Sequence, residues 1–333
     1  MSRPTIAGVA RAAGVSVASV SRVLNGLPAT EEMAERVQRA VADLGYVPDS
    51  RARSLKVGRT FQLTLAVADV GNPVYVTMMR AVEEVVSAAG YRLVVTTTGP
   101  EIVDEVALVR GMARGYADGL LISPIRVDED LVKSIRECEV PVVVAGNVPA
   151  KAGVDTVRAN SPKGMLLAVN HLVAKGRRRI AFLNGPADTV PGTARAKGFA
   201  DALKAHKLQP IAVAEATDFT FTAGRAAAPA LLGVKVSAGL PDAVICANDL
   251  LAVGLMHELA AAGLEVPADV AVVGMDDSEL AEQCFPTLTS VNLGSAERGR
   301  RAAELLLARI EDNDRTPRRI VVQPSLSIRR STP

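Results

Sequence analysis

Residues 5–25 read TIAGVARAAGVSVASVSRVLN, and the placement of their apolar positions decides how the front of the chain folds. Ile6, Val9, Ala10 and Ala13 recur at i, i+3, i+4 and i+7, which gathers them on one face of a helix. Thr5 precedes the run as an N-cap, and Gly14 follows it as a residue able to end a helix in the left-handed conformation. Val15 then fills the corner and Ser16 caps a second helix, whose Val20, Val23 and Leu24 point back onto the first. Two short helices meeting across a tight turn are the expected result.

That arrangement is the helix-turn-helix pattern, in which the second helix lies in the DNA major groove. Its outward residues are Val17, Ala18, Ser21, Arg22 and Asn25. Arg22 suits a bidentate contact with guanine, Val17 and Ala18 suit a thymine methyl, and Thr5 or Ser16 can donate to phosphate. An ordinary helical hairpin in a globular core is the competing reading, and the A-x-x-A-G-V-S core followed by V-S-R-V-L-N weighs against it. Residues 1–60 carry nine Lys/Arg against five Asp/Glu, and the remainder 29 against 31, so the modest basic excess sits where DNA contact is expected.

Beyond the pair, Gly26-Leu27-Pro28 makes a turn and Thr30 caps a third helix, with Glu31 and Glu32 in its first turn. Met33, Val37, Ala40, Val41 and Leu44 form its apolar stripe, and Gly45 ends it. Residues 46–60, YVPDSRARSLKVGRT, allow two readings. In one, a short helix forms on DNA, with Arg51, Arg53, Lys56 and Arg59 on phosphates and Leu55 wedged into a minor-groove step. In the other, the stretch is a basic solvated linker with Leu55 docked on the next domain.

From Phe61 the pattern changes to strand-length apolar runs alternating with helical stripes: LTLAVA, RLVVTT, GLLIS and PVVVAG, then RIAFLNG, AVICA and VAVVG. The alternation predicts two similar α/β subdomains with doubly wound parallel sheets and a cleft between them. Ligands of such folds bind beyond the carboxyl ends of the strands. The polar residues at those ends are Asp69, Ser123, Asn248, Asp249, Asp276 and Asp277, joined by Arg195. Neighbouring carboxylates on a strand end point opposite ways, so Asp276 and Asp277 do not make an acid–base pair; one inward carboxylate, an amide and a guanidinium suit a sugar-like ligand.

Other chemistry is missing from the sequence. No G-x-G-x-x-G or G-x-x-x-x-G-K-[ST] loop is present. His171, His206 and His257 lie in expected helices without metal-ligand spacing, and no cofactor, metal or catalytic residue is assigned. Cys138, Cys246 and Cys284 are widely spaced and odd in number, as reduced thiols would be. With no signal-like apolar run at the front, a cytoplasmic location is expected.

On these residues the chain resembles the LacI/GalR transcriptional repressors along nearly its whole length. The headpiece TIAGVARAAGVSVASVSRVLNG, the YVPDSRARSL stretch, D-x-x-N-P at 69–73, D118-G119-L120, R-x-x-G-F at 195–199, A247-N248-D249 and G274-M275-D276-D277 stand in family order. The resemblance implies an all-α helix-turn-helix headpiece (1–46), a hinge helix and linker (47–60) and a periplasmic-binding-protein-like α/β core. In that core, 61–160 with 292–322 and 161–291 with 323–333 would form the two doubly wound parallel-sheet subdomains. It also implies a homodimer reading a palindromic operator, with Arg22 and residues 17 and 18 on bases, Arg53 in the basic hinge and Leu55 at the central minor-groove step. The small-molecule effector, a sugar, polyol or nucleoside-like compound that releases or recruits the repressor, would meet Arg195, Asn248 and Asp276, with Ser123 at a strand end and Tyr75 and Phe219 as walls.

The chain departs from the family pattern at Gly146-Asn147, Asn160-Ser161 and Leu293-Gly294, where many members have Asp-Arg, Asp-Asn and Gln-Pro. It also has no tryptophan, so no particular sugar is carried over. The last 20 residues hold no leucine heptad, so a tetramerising coiled coil is not expected. The alternatives are a sugar or nucleoside hydrolase, which would need a nucleophile and base or a metal, and a sugar-binding module without DNA affinity.

Overall fold

Thr5 Oγ1 accepts the Gly8 N–H (3.2 Å), Ser16 Oγ accepts the Ser19 N–H (3.1 Å) and Thr30 Oγ1 accepts the Met33 N–H (3.4 Å). These caps start α1 (Ile6–Ala13), α2 (Val17–Leu24) and α3 (Glu31–Leu44) where the sequence places them. The computed structural model describes residues 4–47, 58–99, 101–233 and 239–332. Helices α1 and α2 meet at 102°, and Val9, Ala10, Ala13, Val20, Val37 and Ala40 form the buried core of the three-helix unit. One expectation is corrected: Leu44 is 40% exposed, because Gly45 turns the chain and sends Tyr46 onto that core in its place. The expected hinge helix, with Arg53 and Leu55, lies outside the described residues.

Gly14 sits at φ 63° at the end of α1, and a Cβ there would stand 2.7 Å from Nη2 of Arg36. That guanidinium donates to Ala13 O (2.6 and 3.0 Å) and Gly14 O (3.0 Å), so a residue of α3 satisfies carbonyls left open where α1 ends. Glycine and arginine together hold the turn on which the position of α2 depends.

The chain separates into two compact units, residues 1–60 and 61–333. In the second, runs buried nearly throughout become strands of parallel sheets covered on both faces. The first sheet contains β1 (Gln62–Val67), β2 (Arg92–Thr97), β3 (Gly119–Ser123), β4 (Val142–Val144), β5 (Asp155–Ala159) and β11 (Arg319–Val322) in the order β2-β1-β3-β4-β5-β11. The second contains β6 (Ile180–Asn184), β7 (Val213–Glu215), β8 (Ala243–Cys246), β9 (Ala271–Met275), β10 (Thr289–Asn292) and β12 (Ser325–Ser327) in the order β7-β6-β8-β9-β10-β12. Leu65 lies opposite Val95 and Leu121, and Phe182 opposite Val213 and Ile245, so both sheets reverse strand order beside their first strand. β12 alone among these strands pairs antiparallel, with β10.

Helices α4 (Pro73–Ala88), α5 (Ile102–Gly111), α6 (Glu129–Arg136) and α12 (Ser295–Glu311) accompany the first sheet. Helices α7 (Ser161–Ala174), α8 (Val190–Ala205), α9 (Phe221–Leu232), α10 (Asp249–Ala261) and α11 (Glu279–Gln283) accompany the second. The chain changes sheets three times, between β5 and α7, between β10 and α12, and between β11 and β12. Helix α12 is fixed to the first sheet by a buried ion pair, Arg309 Nε to Asp155 Oδ2 at 2.6 Å, while Asp155 Oδ1 accepts the Arg318 N–H at 2.6 Å. No single helix among the described residues is long and apolar enough to cross a membrane.

Candidate functional sites

On the headpiece, the side of α2 opposite Val20 is open: Val17, Ala18, Arg22 and Asn25 are exposed and Ser21 is partly exposed. Thr5 and Ser16 are exposed at the helix starts. Ser16 Oγ is shared with Ser19 Oγ at 3.0 Å. Arg22 reaches Pro28 O only at 3.4 Å, a weak tether for an exposed guanidinium. Asn25 is less available than its exposure suggests, because its amide donates to Ser21 O at 2.6 Å and closes its own helix.

In the larger unit, a cavity of about 530 Å³ opens between the ends of the two sheets. Tyr75, Ser123, Arg195, Phe219, Asn248 and Asp276 all line it, although they come from α4, β3, α8, the turn before α9, the start of α10 and the end of β9. Gly185 lets Phe219 lie against the end of β6, since a Cβ there would fall 2.2 Å from the ring. Arg195 stands over that ring, its Cζ 5.8 Å from the centroid. It donates from Nη1 to Ala247 O (2.5 Å) and from Nη2 to Asp276 Oδ1 (3.4 Å), while its buried Nε meets no acceptor among the described residues.

Asp276 and Asp277 follow β9 with φ of 109° and 52°, a left-handed pair of non-glycine residues that holds strain where the chain leaves the sheet. As the sequence suggests, they diverge. Asp276 enters the cavity, and Asp277 turns to Arg329 (2.8 Å), Ser327 (2.7 Å) and Asn292 (3.2 Å). Burial pushes the Asp276 carboxyl up, and Arg195 and Arg298 pull it back.

Asp249 has a structural role. Its Oδ2 accepts from Ser278 N and Oγ (both 2.8 Å) and its Oδ1 from Ser290 Oγ (2.5 Å). Burial and the neighbouring Asp276 raise its pKa to about 7. Asn248 lines the cavity but also caps α10 through Oδ1 and Leu251 N, and its Nδ2 donates to Phe219 O at 2.8 Å.

Sequence reasoning did not single out Arg298, in the first turns of α12, although it lines the cavity beside Asp276 and Tyr75. It also missed the contacts that join the halves at the cavity mouth. Arg126 and Asp188 form a bidentate pair (2.7 and 3.1 Å), and Val190 N donates to Ile125 O at 2.8 Å. Arg80 meets Glu279 at 2.7 Å in another contact between the halves. Behind the first contact, Glu105 is buried with Oε1 3.4 Å from Ile125 N, and burial raises its pKa to about 7.

The histidines bond elsewhere: His171 Nε2 to Thr332 Oγ1 (2.7 Å) and His206 Nε2 to Asn170 Oδ1 (2.6 Å), with His257 edge-on to Phe221. Among the described residues no group of three or more Cys, His, Asp or Glu is placed to hold a metal.

Residues 5–49 match the family described as bacterial regulatory proteins, lacI family, and residues 169–332 match a periplasmic binding protein-like domain. The HTH-type transcriptional regulator CelR of Thermobifida fusca is 36% identical, with 99% of this chain and 98% of that protein aligned. The ribose operon repressor of Haemophilus influenzae is 32% identical over 98% of each. Among solved structures, a CelR–cellobiose complex matches at 34% identity with a TM-score of 0.74 over 99% of this chain and 100% of that one. A lac repressor dimer bound to operator and the anti-inducer ONPF matches at 27% identity with a TM-score of 0.88 over 99% of each.

Proposed function

The chain belongs to the LacI family of bacterial regulatory proteins and is a DNA-binding transcriptional regulator, not an enzyme, and from that premise we propose how its own residues do the work. A homodimer places two α2 helices on the half-sites of a palindromic operator and represses a catabolic or transport operon. Arg22 reads a guanine, Val17 and Ala18 meet thymine methyls, Ser21 and Asn25 complete the face, and Thr5 and Ser16 donate to phosphate. The observation that carries this is the open side of α2, whose opposite face is buried on α1 and α3. The protein acts in the cytoplasm, where its operator is.

The cavity takes a small hydroxylated effector, bound by Arg195, Asp276, Asn248 and Ser123 and walled by Tyr75 and Phe219. Residues 61–160 with 292–322 and 161–291 with 323–333 are the two subdomains that move about it. Residues 47–60, including Arg53 and Leu55, carry the change to the headpiece. The effector shifts operator affinity only through unequal binding to two arrangements, typically by about 5- to 150-fold. Band shifts of the full chain on its gene's upstream DNA, with and without a panel of sugars and polyols, test this. Asp276→Ala should keep operator binding and lose the ligand response; loss of both would contradict the assignment.

A further inference from the structure

Arg298 is a cavity cation whose guanidinium the fold leaves largely unmatched. Its one side-chain hydrogen bond to the described residues runs from Nη2 to Ser295 Oγ (3.1 Å), a neighbour on its own helix, and its Nε is buried without an acceptor among them. Arg195 leaves a second buried Nε unmatched. Buried guanidinium nitrogens almost always find acceptors, because an unmet donor away from water is costly. Asp276 is the one buried carboxylate among the described residues that line the cavity; Asp249 behind it is held by Ser278 and Ser290. The bond from Asp276 to Arg195 is long at 3.4 Å, and Asp276 faces both arginines at once.

The groups facing Arg298 are Tyr75, Asp276 and Arg195, so two cations and one anion share the floor. Asp69, Asp188 and Asp218 line the cavity too, but they are exposed; Asp188 is held by Arg126, and Asp69 accepts from Gly71 N. Arg158 and Lys197 also line the cavity, Lys197 paired with Asp201, while Gly146, Asn147 and Ser161 in the lining add no charge. The floor therefore holds surplus positive charge and unused donors.

We infer that the ligand of this cleft carries an anionic oxygen group, a carboxylate or a phosphate, on a hydroxylated skeleton, and that Arg298 with Arg195 receives it. This rests on reading the cleft as the effector site. A guanidinium fork matches either anion with two parallel hydrogen bonds, and Asp276 is left for the hydroxyls. The volume of about 530 Å³ admits a mono- or disaccharide acid.

The test is calorimetry on the full chain with matched neutral and anionic compounds: D-glucose against D-glucuronate, D-gluconate and D-glucose 6-phosphate, and cellobiose against cellobionate. At least one anion should bind tenfold or more tightly than its neutral partner, and carboxylate against phosphate members identify which anion is preferred. Arg298→Met should erase that preference and Arg298→Lys should restore part of it. Neutral compounds binding as well as the anions, an undiminished preference in Arg298→Met, or no anion bound by the wild type would each overturn the inference. If a neutral sugar binds and Asp276→Asn abolishes it, the anion falls and the effector cleft stands; if no compound binds at all, both fall.

Discussion

The headpiece holds itself together with six buried apolar residues and sets its polar side chains outside, on caps and on the open face of α2. The α/β unit does the reverse at its cleft, burying Arg195, Asp249 and the side chain of Asp276 and fixing them through backbone carbonyls, serines and one another. The contrast follows from the partners. Duplex DNA is large and is met at an exposed surface, whereas a small ligand must be surrounded, so its contacts are made by groups already taken out of water. Substitutions should accordingly cost most where charge is buried and least where a cap is exposed.

The largest effect expected is at Asp155. Removing it by Asp155→Ala leaves Arg309 buried without its counter-ion and should destabilise the α/β unit by about 3–5 kcal/mol, read by chemical denaturation. A cost below about 1 kcal/mol would place that pair with the surface ion pairs.

Glu105 comes next. Burial raises its pKa from 4.5 to about 7, so the folded state holds a proton that the unfolded state releases in that interval. Wild-type stability therefore falls as pH rises through about 5 to 7. Glu105→Gln should be more stable than wild type by up to about 3 kcal/mol at pH 8.5 and no different near pH 4. An advantage independent of pH would remove burial of the charge as its cause.

For α2, Arg22→Ala should cost about 1–3 kcal/mol of operator binding and relax preference at one base pair per half-site. A uniform loss across all sequences would make it a phosphate contact. The smallest effect is at a cap: Thr30→Ala should lower headpiece stability by about 1 kcal/mol without altering base preference, checked by thermal melting and competition binding.

The same contrast explains what could be read from the sequence. The headpiece is built from contacts close in the chain, so periodicity and caps located all three helices, and only Leu44 and Tyr46 exchanged places. In the α/β unit the strongly apolar strands were legible. β5, β7, β10, β11 and β12 were not, because they are short and mix polar residues such as Asp155, Ser290 and Arg319 among the apolar ones. The six expected effector contacts all line the cavity, four of them at strand ends or in family motifs, and the strand-end Asp69 lines it too. Arg298 was missed because E-R-G-R-R looks like the solvated face of a helix, and only the return of α12 from the second sheet to the first turns it inward. Arg36 escaped notice for a related reason: its acceptors, Ala13 and Gly14, are supplied by another helix end.

The central claim is that the exposed side of α2 reads DNA, and nuclease footprinting of the full-length dimer on its gene's upstream region tests it most directly. The account predicts a protected palindrome whose half-site centres lie about 10 base pairs or a multiple apart, with protection lost at one guanine per half-site in Arg22→Ala. Absence of any protected site at low salt, or an identical footprint from Arg22→Ala, would contradict it.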